Sequence, residues 1–293
     1  MSSKRTSGPS DGTRLRVLTF NVLAPPYKTN SRFCEASDRS RVVRRAGEMA
    51  DAVLAGDAHL VLLQEVWLAD DGYMAELHKA LDDSFHAEWI ELCRPEREEG
   101  LVVMWAKTAP LASVELVAEV DYGEDCRVGL VVEAVLEESG GRLLVGTTHL
   151  SHPKTTRVMA MMTRQIKMLT TALDDAAEAA ESDGRGPVVA TLVAGDLNAV
   201  DSDVTAWLAG CGYTDGWSAI HGNREGVVTH KTHTRMFVAC DYVMARAGAG
   251  GRITAADALL LPTHLKPGRW PKYADWRVSD HRPVVVEWAV ETA

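Results

Sequence analysis

Apolar residues along this chain fall into short runs, separated by longer stretches that alternate between apolar and polar with a helical period. The runs at 15–23, 60–63, 101–105, 128–136, 143–148, 188–194, 237–244 and 283–288 are rich in Val and Leu. Several are near-continuous, as expected of strands covered on both faces. Helical spacing occupies 39–55, 71–81 and 155–180, and a short helix is expected at 201–208 with Asp or Ser as its cap. Strands and helices interleave, but 101–150 reads as consecutive strands. That mixture predicts an α/β (α+β) sandwich with much antiparallel pairing. The glycine-rich stretch 247–251 predicts a turn between two strands and lacks the register of a phosphate loop. With no repeat, linker or composition break, one domain is expected over 14–293, after a polar leader at 1–13 expected to be disordered.

Polar residues recur where the apolar runs end. Asn21, Glu65 and His149 each close a run, and Asp241 sits at a polar break within one. Gly195-Asp196-Leu197-Asn198 follows the run at 188–194, and Ser279-Asp280-His281 precedes the last. Strand ends are where α/β proteins gather their sites. On a strand, Asp196 and Asn198 at i, i+2 point the same way. Carboxylate and amide oxygens are the ligands a hard cation such as Mg²⁺ takes. A His beside an Asp suits proton handling or phosphate contact. Each residue also has an ordinary reading: Glu65 as a cap, Asn21 as a turn residue, His149 as a satisfied core histidine, Asp196 in an Asx turn.

Composition narrows the picture. The chain has 293 residues, of which 46% are hydrophobic, ample for a core. No apolar stretch of membrane-spanning length occurs, and 1–13 has no apolar segment of a secretory signal. The five scattered cysteines form no CxxC, so reduced thiols and an intracellular protein, cytoplasmic or nuclear, are expected. A net charge of −10 argues against broad electrostatic binding of nucleic acid. Positive charge is local. Lys28, Arg32, Arg39, Arg41, Arg44 and Arg45 follow the first strand, and Lys266, Arg269, Lys272, Arg277 and Arg282 lead through the terminal Ser-Asp-His. A solvated face is the ordinary outcome for such clusters. The second runs into the candidate site, which favours an anionic substrate there.

The ordered set Thr19-Phe20-Asn21-Val22-Leu23-Ala24, Leu63-Gln64-Glu65-Val66, Thr148-His149-Leu150, Gly195-Asp196-Leu197-Asn198, Asp241-Tyr242 and Ser279-Asp280-His281 resembles the endonuclease/exonuclease/phosphatase superfamily. The matches span almost the whole chain. The resemblance implies a four-layer sandwich, two packed mixed β-sheets flanked by helices. It also implies hydrolysis of a phosphoester with Mg²⁺ or Mn²⁺. By that analogy Glu65 binds the metal with Asn21 close by, and Asp280 completes the metal side. Asp196 and Asn198 position and activate water or hold a second ion, His149 and His281 contact phosphate oxygens, and Asp241 orients His281.

Departures from subgroup patterns locate the branch. Ala199-Val200 and Val238-Ala239-Cys240-Asp241-Tyr242 stand where inositol 5-phosphatases carry Arg and Pro-x-Trp-Cys-Asp-Arg. Trp67 replaces the Lys of AP endonucleases. The pattern is nearer the nocturnin-type deadenylases and a plant and algal group, some of whose members carry EF-hands. No EF-hand loop occurs here, so no calcium sensing is expected. His230 and His233, at i, i+3 in a polar loop, are expected to hydrogen bond or touch substrate. Trp270, Tyr273 and Trp276, interleaved with Arg269, Lys272 and Arg277, either stack bases or pack down a loop. Three functions follow: a nuclease or exoribonuclease acting on RNA or single strands, a phosphatase for a small phosphorylated metabolite, nucleotide or lipid headgroup, and a catalytically silent binding module. A monomer is expected.

Overall fold

The computed structural model describes residues 12–30, 33–200, 202–272 and 276–293, so the expectations for 1–11, Arg32, Asp201 and Tyr273 lie outside the described residues. In chain order the strands begin with β1 (Thr13–Asn21), β2 (Thr29–Asn30), β3 (Phe33–Cys34), β4 (Leu60–Val66), β5 (Ile90–Cys93), β6 (Gly100–Trp105), β7 (Leu111–Asp121) and β8 (Val128–Leu136). They continue with β9 (Arg142–His149), β10 (Val188–Asp196), β11 (Thr214–Asp215), β12 (His230–Lys231), β13 (Phe237–Val238), β14 (Asp241–Ala247), β15 (Gly251–Leu260) and β16 (Val284–Thr292). The helices are α1 (Arg39–Leu54), α2 (Asp71–Leu81), α3 (Thr156–Ser182), α4 (Asp203–Gly210) and α5 (Gly216–His221). The first four helices begin on a side-chain cap: Asp38, Asp70, Thr155 and Ser202 each accept a backbone N–H of the first turn.

Two mixed six-stranded sheets result, in the orders β15-β16-β1-β4-β6-β5 and β11-β14-β10-β9-β8-β7. Within the first, β1 is parallel to β4 and antiparallel to β16. In the second, β10 is parallel to β9 and antiparallel to β14. This arrangement brings the ends of β1, β4, β9 and β10 and the beginnings of β14 and β16 to one edge. The main core lies between the sheets, with Phe20, Leu62, Val132, Leu192 and Trp288 buried in it. A second core packs Ile166, Leu169 and Leu173 of α3 onto Leu144 and Val193.

One polar residue crosses the main core. The Gln64 amide is fully buried and donates to Leu62 O at 2.9 Å and Thr19 Oγ1 at 3.1 Å, and reaches Thr147 Oγ1 of the facing sheet at 3.4 Å. Being hydrogen-bonded on both sides, it ties the sheets at the edge where the site forms.

Several expectations shift. β1 begins at Thr13, inside the span assigned to the leader, and the run at 237–244 splits into β13 and β14 around Ala239 and Cys240. Arg282 is not a solvent-facing cation. It is fully buried and donates to Leu261 O at 2.8 Å, Arg269 O at 3.1 Å and Pro267 O at 3.3 Å, fastening the segment before β16. Arg282→Ala strands these carbonyls. It is expected to cost about 3 kcal/mol or more in urea unfolding. A midpoint within experimental error of wild type would refute this role.

Candidate active site

The site begins with Asp196, the last residue of β10. Its register partners are His149 on β9 and Asp241 on β14, so a single strand position collects three functional groups. Gly195 makes this close approach possible: its φ is 150°, and a Cβ there would lie 2.0 Å from Thr148 O. Asp196 Oδ2 accepts from Asn21 Nδ2 at 3.1 Å, and lies 3.4 Å from His149 Nε2 and 3.6 Å from His281 Nε2. Asp196 Oδ1 accepts from Asn198 N at 2.9 Å. β10 ends at Asp196, so strand alternation does not extend to Asn198, whose φ is 48°. The Asn198 amide instead donates to Leu150 O at 2.9 Å and meets His152 Nδ1 at 3.2 Å.

Glu65 sits in a register shift between β4 and β6, with φ 57°. A left-handed non-glycine residue in a bulge costs energy and re-aims its side chain. Glu65 Oε1 accepts from Asn21 Nδ2 at 3.3 Å and lies 3.6 Å from His149 Nδ1. Among the described residues, its Oε2 and His149 Nδ1 are buried without hydrogen-bond partners. Burial, with Glu99 and Asp280 adding to it, pushes the Glu65 carboxyl up to about 7.

On the other side, His281 Nδ1 lies 3.0 Å from Asp241 Oδ2, and its ring stacks on His230 at 3.9 Å. Burial alone would lower His281, but Asp241 and Asp196 outweigh it and raise the imidazole to about 10. His149 goes the opposite way: burial, then Arg127 and Arg94, hold it well below its ordinary value. The site thus holds one charged and one neutral histidine around Asp196. Ser279 explains the terminal motif's first residue. Its Oγ donates to Asn21 O at 2.7 Å and accepts from His281 N at 3.0 Å. Asp280 pairs with His230 Nε2 at 3.7 Å. Burial opposes its ionisation, yet His230 and His281 keep its carboxyl below the usual range.

Three other predicted contacts fall differently. Trp276 is buried, tilted against Phe20, and donates Nε1–H to His281 O at 2.9 Å. Its ring is used in packing, and its N–H ties the His281 backbone. Trp270 packs against the main core. Arg277 is held by Glu48 at 2.8 Å. Arg269, Lys272 and His233 are exposed, with the His233 ring 6.4 Å from His152.

Sequence reading missed a cavity of about 330 Å³ beside Glu65, lined by Tyr27, Arg94, Arg97, Arg127, His152 and Lys154 among others. These residues come from four separate segments, and only their convergence gives a signal. It also missed Cys240. Its Sγ lies 3.7 Å from His230 Nδ1, and it groups with Asp196, Asp241 and His281 in a set whose ligand atoms lie within 4.8 Å of one another.

The donor set fits a divalent cation. Glu65, Asp196 and Asp280 offer hard oxygens, among them Glu65 Oε2, buried with no hydrogen-bond partner among the described residues, while Asn21 turns its amide N–H toward Glu65 and Asp196. Among the described residues no helix is long and apolar enough to cross a membrane.

The sequence model of the endonuclease/exonuclease/phosphatase family matches residues 18–281. Several solved structures share the fold. ANGEL2, described as a 2′,3′-cyclic phosphatase in complex with adenosine-2′,3′-vanadate, superposes with a TM-score of 0.67 at 17% identity, covering 98% of this chain and 99% of that one. The human Nocturnin catalytic domain with bound sulfate gives 0.66 at 16%, covering 95% and 94%. TDP2 from D. rerio with a single-strand DNA product gives 0.65 at 17%, covering 94% and 98%. No curated protein matches the sequence.

Proposed function

The chain belongs to the endonuclease/exonuclease/phosphatase family, and on that premise we propose that it is a Mg²⁺- or Mn²⁺-dependent phosphodiesterase, a nuclease or exoribonuclease acting on RNA or single strands. The observation that carries this is the placement of His281 between Asp241 and Asp196, whose charges raise its imidazole, with a nearly buried Glu65 at the same sheet edge. Phosphoryl transfer is limited by charge neutralisation and positioning, and both are present in this arrangement.

Glu65 and Asp280 would hold the metal, with Asn21 close by. When bound, the ion supplies positive charge against the phosphate oxygens. His281 presents Nε2–H to a non-bridging oxygen, and Asp241 holds the imidazolium in place by accepting from Nδ1–H. Asp196 Oδ2 takes the proton of the attacking water as its oxygen bonds to phosphorus and the opposite P–O bond breaks, the leaving oxygen taking a proton from solvent, with Asn21 and the Asn198 N–H fixing the carboxylate. Neutral His149 supports Asp196 through Nε2. Two of the fold neighbours, ANGEL2 and TDP2, are described with a nucleotide-derived ligand or nucleic acid, which favours a phosphodiester of that class. The second reading is a phosphatase for a small metabolite. The net charge of −10 favours it, because a long polyanion is repelled away from the site. Residues 14–293 act as one catalytic domain in either reading, as a monomer inside the cell.

The test is hydrolysis by wild type and Asp196→Ala with Mg²⁺, Mn²⁺ or chelator. The panel comprises poly(A) RNA, single-stranded DNA, abasic duplex, nucleotides, inositol phosphates and sphingomyelin. Turnover lost in chelator and lowered at least about 10³-fold by Asp196→Ala is expected. Metal-independent turnover, or an Asp196→Ala enzyme near wild-type rate, would sink the assignment.

A further inference from the structure

The cavity beside Glu65 is lined by a guanidinium that is only partly satisfied. Arg127 is nearly buried, yet its Nε and Nη1 have no hydrogen-bond acceptor among the described residues. The carboxylate paired with it, Asp125, is 3.9 Å away, beyond hydrogen-bond distance, and half of it is exposed. A buried guanidinium without an acceptor is costly unless an anion from solution completes it.

The backbone that presents Arg127 is itself under constraint. Asp125 and Cys126 are consecutive left-handed residues, with φ 55° and 50°, and neither is glycine. Arg94 holds them there, donating Nε–H to Cys126 O at 2.8 Å and Nη2–H to Asp125 O at 3.3 Å. Arg94 is anchored in turn by buried Glu99, which also accepts from Tyr27. A strained turn fixed by a buried ion pair, whose product is a partly satisfied guanidinium at a cavity wall, is a built arrangement. Arg97 and Lys154 line the same cavity, on a chain of net charge −10. It opens against Glu65, and Arg127 is close enough to Glu65 and Asp196 to feel their charges.

We propose that this cavity is a subsite for a second phosphate group of the substrate, with Arg127 as its principal ligand and Arg94 as the residue that positions Arg127. The inference rests on the hydrolytic reading of the adjoining site and narrows it to substrates carrying a further phosphate on the Glu65 side. That phosphate is either a terminal monoester of a small nucleotide or the next diester of a chain. The chemistry recognised is the same.

The test is equilibrium binding to the full-length protein in chelator, so that nothing is turned over. The probes are adenosine 5′-monophosphate, adenosine 3′,5′-bisphosphate, and the di- and trinucleotides of adenosine. Wild type is expected to gain about tenfold in affinity from the second phosphate. A gain from mono- to bisphosphate identifies a terminal monoester; a gain from di- to trinucleotide identifies a chain. Arg127→Met removes most of that gain, and Arg127→Lys, which keeps the charge without the guanidinium, lowers it at least about threefold. Absence of a gain in both pairs, or the same gain in whichever of the two variants folds, overturns the proposal. Binding requires no catalysis, so a silent hydrolysis panel together with an Arg127-dependent gain would refute the hydrolytic reading and leave the subsite standing.

Discussion

Glu65→Gln is expected to abolish metal-dependent turnover and, at the same time, to raise the melting temperature of the metal-free protein above neutral pH. Glu65 is raised from 4.5 to about 7 by burial beside Glu99 and Asp280. A folded-state pKa above the unfolded value means that the folded state binds the proton more tightly. Stability is therefore full below about pH 4.5 and falls as pH rises toward 7. The shift corresponds to roughly 3 kcal/mol on the alkaline side. Glutamine keeps the shape and removes the charge, so in chelator at pH 8 the variant is expected to melt roughly 5–10 °C higher. At pH 5 the two proteins converge. Added Mg²⁺ restores the wild type and leaves the variant unmoved, because the cation binds only the native site. Melting curves across pH 5–8.5, with chelator and with Mg²⁺, provide the check. A difference independent of pH would show that Glu65 is not strained by its own charge.

The elements most legible in the sequence were those with one unambiguous period. The α2 pattern and the β8 run coincide with the observed Asp71–Leu81 and Val128–Leu136. β7 and β15 lie at sheet edges and form no continuous apolar run, so the sequence predicts them only as part of the consecutive strands over 101–150 and as the strand after the 247–251 turn. Their outward positions carry Glu115, Glu119, Arg252 and Asp257, which break the apolar run that signals a strand. Polar residues at strand ends were legible for a physical reason: the end of a Val/Leu run is the one place where a buried-side carboxylate can reach both solvent and a neighbouring strand. Gln64 had no such signal. Its value is to the facing sheet, which no local pattern reports. Arg94 and Arg127 sit in polar loops far apart in sequence and meet only through the turn that Arg94 holds. The Trp270–Trp276 segment shows the limit from the other side. Aromatic and basic residues alternate identically whether they stack a ligand or pack a loop, and Trp276 packs.

Asp241→Asn tests the other half of the site. Asp241 is fully buried, and both of its oxygens lie about one hydrogen bond from His281 Nδ1, at 3.1 and 3.0 Å. Asparagine retains an oxygen to accept from Nδ1–H, so the ring keeps its place while the charge that stabilises the imidazolium is removed. In the wild type, burial works against protonation, and Asp241 and Asp196 overcome it to raise His281 to about 10. The charged form therefore persists throughout neutral pH, and the stability it adds, full below about 6.5, fades only as pH climbs toward 10. Without Asp241, burial regains ground and the imidazole loses its proton at much lower pH. Turnover at pH 8 with saturating Mg²⁺ is expected to fall about 10²–10³-fold, since the phosphate loses a charged donor. Lowering the pH toward 6 should recover part of that loss in the variant and none in the wild type, because acid supplies the proton that Asp241 otherwise retains on His281. A rate–pH profile parallel to wild type would place His281 outside the charge-stabilising step, leaving Asp241 a structural residue. An alkaline limb displaced to neutral pH would tie catalysis to the protonated imidazole.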